Sequence, residues 1–117
     1  MTFWIADWLR AFAVTLLVEI PIAAALLKIV ERGVPRRIAI VVVANLATHP
    51  LVWFLFPGLA FGPPARLALS EAWAVLAEIA IYKLVWPSLR VRRAALVSLA
   101  ANAASFAVGL AIARLMR

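Results

Sequence analysis

The chain has no cysteine, one histidine, one tyrosine and only five acidic residues among its 117. The missing cysteines remove disulfides, thiolate metal sites and thiol nucleophiles from consideration, and they leave the compartment open. Charge is scarce as well: 15% of residues are Asp, Glu, Lys or Arg, against 68% hydrophobic, and the mean hydropathy is +1.07. A water-soluble domain of this length could not cover so much apolar surface with so few charges. No zincin helix, P-loop or nucleophile elbow occurs.

What is present is a series of apolar runs, each near the roughly 20 residues that cross a hydrocarbon core. The breakers between them set the expected spans. The first runs from about Trp8 to Ile29, with Trp4 and Trp8 as interfacial anchors, and ends at Gly33 and Pro35. It lacks a basic leading region, so it reads as a retained helix and not a cleaved signal. The second runs from about Arg37 to Phe56 and stops at Pro57-Gly58. The third covers about Arg66 to Trp86, and the fourth about Arg93 to Ile112. The expected fold is therefore all-α: a polytopic integral membrane protein of four transmembrane helices in a single membrane domain over 1–117.

The net charge of +7 raises the question of nucleic acid. The basic residues flank apolar runs, where they meet headgroups, and no basic stripe with interleaved aromatics lies outside the spans. The lipid bilayer is the expected partner, and nucleic acid is not. Eight basic residues (Lys28, Arg32, Arg36, Arg37, Lys83, Arg90, Arg92, Arg93) fall in or beside the first and third connections, against four on the other side. The positive-inside rule then places loops 30–36 and 87–92 in the cytoplasm and both termini outside, in the cell membrane.

The chain also repeats itself. Glu19-Ile20-Pro21-Ile22 has a counterpart in Glu78-Ile79-Ala80-Ile81, 59 residues on. Each is followed by a loop ending in Arg-Arg. Ala44-Asn45-Leu46-Ala47-Thr48 is matched by Ala101-Asn102-Ala103-Ala104-Ser105, 57 residues on. Two tandem helical hairpins, approximately 8–57 and 66–113, account for this. Since both cross the membrane in the same sense, a pseudo-two-fold axis along the membrane normal is expected.

At about 1.5 Å per helical residue, Glu19, Asn45, Glu78 and Asn102 fall within one or two turns of the bilayer centre. A charged carboxylate at that depth costs several kcal/mol, so these groups must face inward, pair, or stay protonated. Helical spacing adds Thr48 and His49 to the Asn45 face, Glu71 and Tyr82 to the Glu78 face, and Ser98, Ser105 and Gly109 to the Asn102 face. The small residues of that last stripe read as helix packing. Pro21 and Pro50 each remove an amide and free a carbonyl, here Leu17 and Leu46.

The expected binding set is thus Glu19, Asn45, His49, Glu78 and Asn102, supported by Thr48, Glu71, Tyr82 and Ser105, with helix kinks at Pro21 and Pro50. No cofactor is predicted; if a metal binds, the set Glu78, His49 and Glu19 suits a hard divalent cation. The leading functional expectation is a small transporter or channel for a cation or a proton-coupled solute. The alternative is a non-catalytic subunit or assembly factor whose polar pairs are interhelical glue. A lesser alternative is an embedded enzyme on a lipid-soluble substrate. Four short helices enclose little space, which favours a homodimer or a larger membrane complex.

Overall fold

Each apolar run becomes a helix whose ends fall at the predicted breakers. The computed structural model describes residues 2–58 and 60–116, with side chains from Ile5 onward. The anchoring role expected of Trp4 and the basic charge of Arg117 lie outside what is described. Helix α1 spans Thr2–Leu26 and tightens into a 3₁₀ turn at Leu27–Ile29. Helix α2 spans Val34–Pro50, α3 Pro63–Val85 and α4 Val91–Leu115. Pro35 lies in the first turn of α2 and Pro63 and Pro64 in that of α3, where a missing amide leaves no intrahelical bond unmade. No strand occurs among the described residues.

Pro50 does not stop its helix. Its ring cannot donate to the Leu46 carbonyl, and the chain responds with a π-helical turn at Leu51–Leu55, where the Phe56 amide reaches back to Leu51 O. A short 3₁₀ turn, Phe56–Gly58, then ends the element.

The four helices pack as a ring in which each touches the next and α4 closes against α1, the most extensively packed pair. Short connections make consecutive helices antiparallel. The two Arg-rich loops therefore share one end, the basic end. The outer ends of α1 and α4 and the connection between α2 and α3 share the other, the terminal end.

Three segments are long and apolar enough to cross a membrane: Ile5–Ile29, Val34–Gly58 and Val91–Leu115. Helix α3 matches them in length but carries Arg66, Glu71, Glu78 and Lys83. The exposure pattern is that of a protein dissolved in lipid. Leu17, Leu84 and Leu115 are 75%, 81% and 86% exposed, while Glu19, Glu78 and Asn45 are 0%, 1% and 2%.

The basic end is packed shut. Ala23 of α1 and Leu27 of the turn after it meet Val41 of α2, Tyr82 of α3 with Trp86 just beyond it, and Val97 of α4 in a continuous apolar core. Polar bonds fasten its rim. Two arginines donate to carbonyls at the end of α1: Arg37 to Ala24 O, and Arg93 to Leu26 O at 3.3 Å. Arg37 is 7% exposed, so it holds α1 and does not reach into headgroups as its flanking position had suggested. Lys83 caps the third connection at Pro87 O and Leu89 O, and Glu31 pairs with Arg36 at 2.9 Å while accepting from Trp86 Nε1 at 3.4 Å.

Candidate functional site

Toward the terminal end the bundle is not filled. A crevice of about 390 Å³ lies between all four helices. Its floor carries Asn45 and Asn102, with Thr48 and Ser105 one turn further out on the same helices. Glu71 and Ser70 contribute from α3, and His49 and Trp53 from α2. The outermost residues, Arg10, Gly109 and Ile112, are exposed.

The inward stripe of α1 explains how its residues reach the site. Trp8, Phe12, Thr15 and Glu19 recur at the three- and four-residue steps of one helix face, continued into the core by Ala23. The corresponding stripe of α3 is Glu71, Ala74, Glu78 and Tyr82, of which the last three are buried. Both carboxyls of the middle layer are thereby driven inward, behind the floor of the crevice, because the opposite faces of these helices are coated with leucine and isoleucine.

The two halves of that layer are alike in their local bonds. Asn45 Nδ2 donates to Val41 O at 2.9 Å, and Asn102 Nδ2 donates to Ser98 O at 2.8 Å. Thr48 Oγ1 donates to Asn45 O at 3.3 Å, and Ser105 Oγ donates to Asn102 O at 3.1 Å. Their carboxyls differ. Asn102 Nδ2 also donates to Glu78 Oε2, joining α4 to α3, and Ser98 Oγ donates across the same interface to Val75 O at 2.9 Å. Glu19 lies beside Asn45 and Ser105, yet neither of its buried oxygens has a hydrogen-bond partner among the described residues. In a native interior an unpaired buried polar group is uncommon and calls for a reason.

His49 sits in an aromatic wall, with Phe12 at 5.3 Å and Trp53 at 6.5 Å between ring centroids. Trp8 Nε1 donates to His49 Nδ1 at 3.0 Å, and Thr15 Oγ1 lies 3.3 Å from Nε2. The indole can only donate, so Nδ1 accepts and the ring proton sits on Nε2, facing the threonine oxygen. Both nitrogens are engaged. That arrangement leaves His49 no free nitrogen for a metal, and no three His, Asp or Glu side chains come together as a metal-holding group among the described residues. The expected metal set of Glu78, His49 and Glu19 is therefore not assembled.

Other expected residues are redistributed. Asn45, Thr48, His49, Glu71, Asn102 and Ser105 share the crevice. Tyr82 belongs to the closed side, where its ring meets Trp86 at 6.3 Å. Pro21 and Leu17 lie on the exposed face of α1, so the carbonyl freed there does not serve the site. A Cβ at Gly109 would meet nothing within 4 Å. That glycine marks open space and not the close helix approach its stripe suggested. Sequence reasoning passed over Thr15, Trp53 and Phe106. The signal was available: Thr15 is one helical turn before Glu19, and Trp53 one turn after His49.

No protein-family profile, curated protein or solved structure matches the chain.

Proposed function

We propose that this chain is a small membrane carrier that moves a cation, or a solute coupled to protons, through the Glu/Asn layer at the foot of the crevice. In this reading all four helices span the bilayer, α3 being the one whose charged residues serve the path. The basic loops face the cytoplasm and the crevice opens to the outside. The matched bonds of Asn45/Thr48 and Asn102/Ser105 support a duplicated hairpin with an axis along the membrane normal. The observation that carries the reading is Glu19: a wholly buried carboxyl beside Asn45 and Ser105, with no regular hydrogen bond among the described residues, directly behind the polar floor of the crevice. A group kept at that cost is by default a functional candidate in a membrane protein.

The test is reconstitution in liposomes, with proton and alkali-cation flux followed under an imposed gradient. Wild type conducts flux. Glu19→Gln abolishes it while eluting from a sizing column as wild type does. A wild-type protein silent towards protons and every cation tried would end the proposal. The second reading, a membrane subunit held by polar pairs, draws support from the Glu78–Asn102 and Ser98–Val75 bonds. It predicts that Glu78→Leu and Asn102→Leu fail to assemble while no variant alters any flux.

A further inference from the structure

Apart from Arg10 at the mouth, the ionisable groups in and behind the crevice are carboxyls and one imidazole. Glu71 lines it, and Glu19 and Glu78 lie behind its floor, each within electrostatic reach of Glu71. From α2 only His49 faces it among titratable groups, and both its nitrogens are engaged. From α4 the floor and wall residues Asn102, Ser105 and Phe106 are neutral. The one basic residue on the wall, Arg10 of α1, stands exposed at the mouth, 3.7 Å from Asp7. The interior of the site therefore favours positive charge.

Size and lining narrow the class. A space of about 390 Å³ is many times what one water or a bare ion fills, and falls in the range of small-molecule sites. No three carboxyl or imidazole groups converge to strip an inorganic ion of its water among the described residues. The upper walls are apolar and aromatic: Val14, Trp53, Phe106 and Ile112. An aromatic face beside uncompensated carboxyls is a setting that holds alkylammonium groups, through attraction to the ring as well as to the acid.

Resting on the carrier reading, we infer that the substrate is a small organic cation with an apolar body. Its ammonium-type centre sits between Glu71 and the Asn45/Asn102 floor, and its hydrocarbon part lies against Trp53 and Phe106. An inorganic cation would use the carboxyls and leave the walls without a purpose.

Binding is measured by titration calorimetry on the intact chain in detergent, apart from any flux. Three probes separate the features: benzyltrimethylammonium (charge and body), tetramethylammonium (charge alone) and benzoate (body with opposite charge). Wild type binds benzyltrimethylammonium at least about tenfold more tightly than tetramethylammonium, and benzoate not at all. Glu71→Gln weakens both cations by about tenfold or more, and Glu71→Asp restores part of the loss. Trp53→Leu removes the advantage of the benzyl group and leaves tetramethylammonium unchanged. Glu31→Gln, at the basic end, changes neither. Variants are compared only where their sizing profile matches wild type. Benzoate binding as strong as that of the cation would overturn the inference, as would an unaffected Glu71→Gln. Flux of inorganic cations without benzyltrimethylammonium binding would overturn it too and leave the carrier reading intact. Cation binding with the expected variant pattern but no flux of any kind would uphold the inference and sink the carrier reading.

Discussion

Two glutamates that the sequence presents as equivalents differ in the one respect that governs their energetics. Glu78 accepts from an amide on the facing helix, whereas Glu19 lies beside Asn45 and Ser105 without a regular hydrogen bond among the described residues. Truncating one partner of a buried bond leaves the other unsatisfied, at about 1–3 kcal/mol. Asn102→Leu is therefore expected to lower resistance to SDS-induced unfolding by about 1–2 kcal/mol. Asn45→Leu costs less, because the one regular bond of its amide is to Val41 O of its own helix. Replacing the acids themselves by leucine has opposite signs: Glu78→Leu removes the bond that ties Asn102 to α3 and destabilises, while Glu19→Leu removes a buried group without a regular bond and stabilises by about 1 kcal/mol or more. Loss of stability in Glu19→Leu, measured in the same SDS titration, would contradict this account. That all four polar residues turn inward was legible in the sequence, because an ionisable or amide side chain within an apolar run has few places to go. Which carboxyl is paired was not legible, since that depends on the contact between α3 and α4 and no spacing within a helix encodes it.

Among the elements, α2 departs furthest from the regular pattern. Helical arithmetic expects a proline to kink or stop a helix, and Pro50 instead passes into the wide turn at Leu51–Leu55. Restoring the amide with Pro50→Ala lets residue 50 donate to Leu46 O, so the segment returns to regular α-helix and gains stability. The same change rotates the residues beyond it relative to Asn45 and His49, so Trp53 leaves its place in the aromatic wall. The expected result is a more stable protein with a shifted tryptophan emission and reduced cation binding; unchanged emission would show that the wide turn does not depend on the proline. Helix existence was plain from run length and breakers, and α1, α2 and α4 meet the apolar criterion for a span. The charges of α3 were visible too, but their inward arrangement became clear only once the ring of helices was closed.

The molecule as a whole is asymmetric from end to end, shut by packed side chains at the basic end and open at the terminal end. A chain without cysteine makes this directly measurable. Single cysteines at Ser105 and Gly109, which border the crevice, should react with a membrane-impermeant maleimide from the side that bears the termini. Cysteines at Ala23 and Val97, in the closed core, should stay unlabelled until the protein is denatured. Equal labelling at all four positions would mean that the basic end opens freely. This end-to-end difference arises from where bulky Leu27, Tyr82 and Trp86 meet, a contact between helices that no spacing within one helix encodes. The two arginine bonds on α1 add a mechanical consequence. Arg37 and Arg93 come from the helices on either side and grip the same final turn, so that end of α1 is anchored while its Trp8 end is held by one indole and one aromatic wall. Helix α1 is thus a lever with its fulcrum at the basic end, and its long arm carries Thr15 and Trp8 along the side of the crevice. A swing of that arm would widen the site and break the bond between Trp8 and His49.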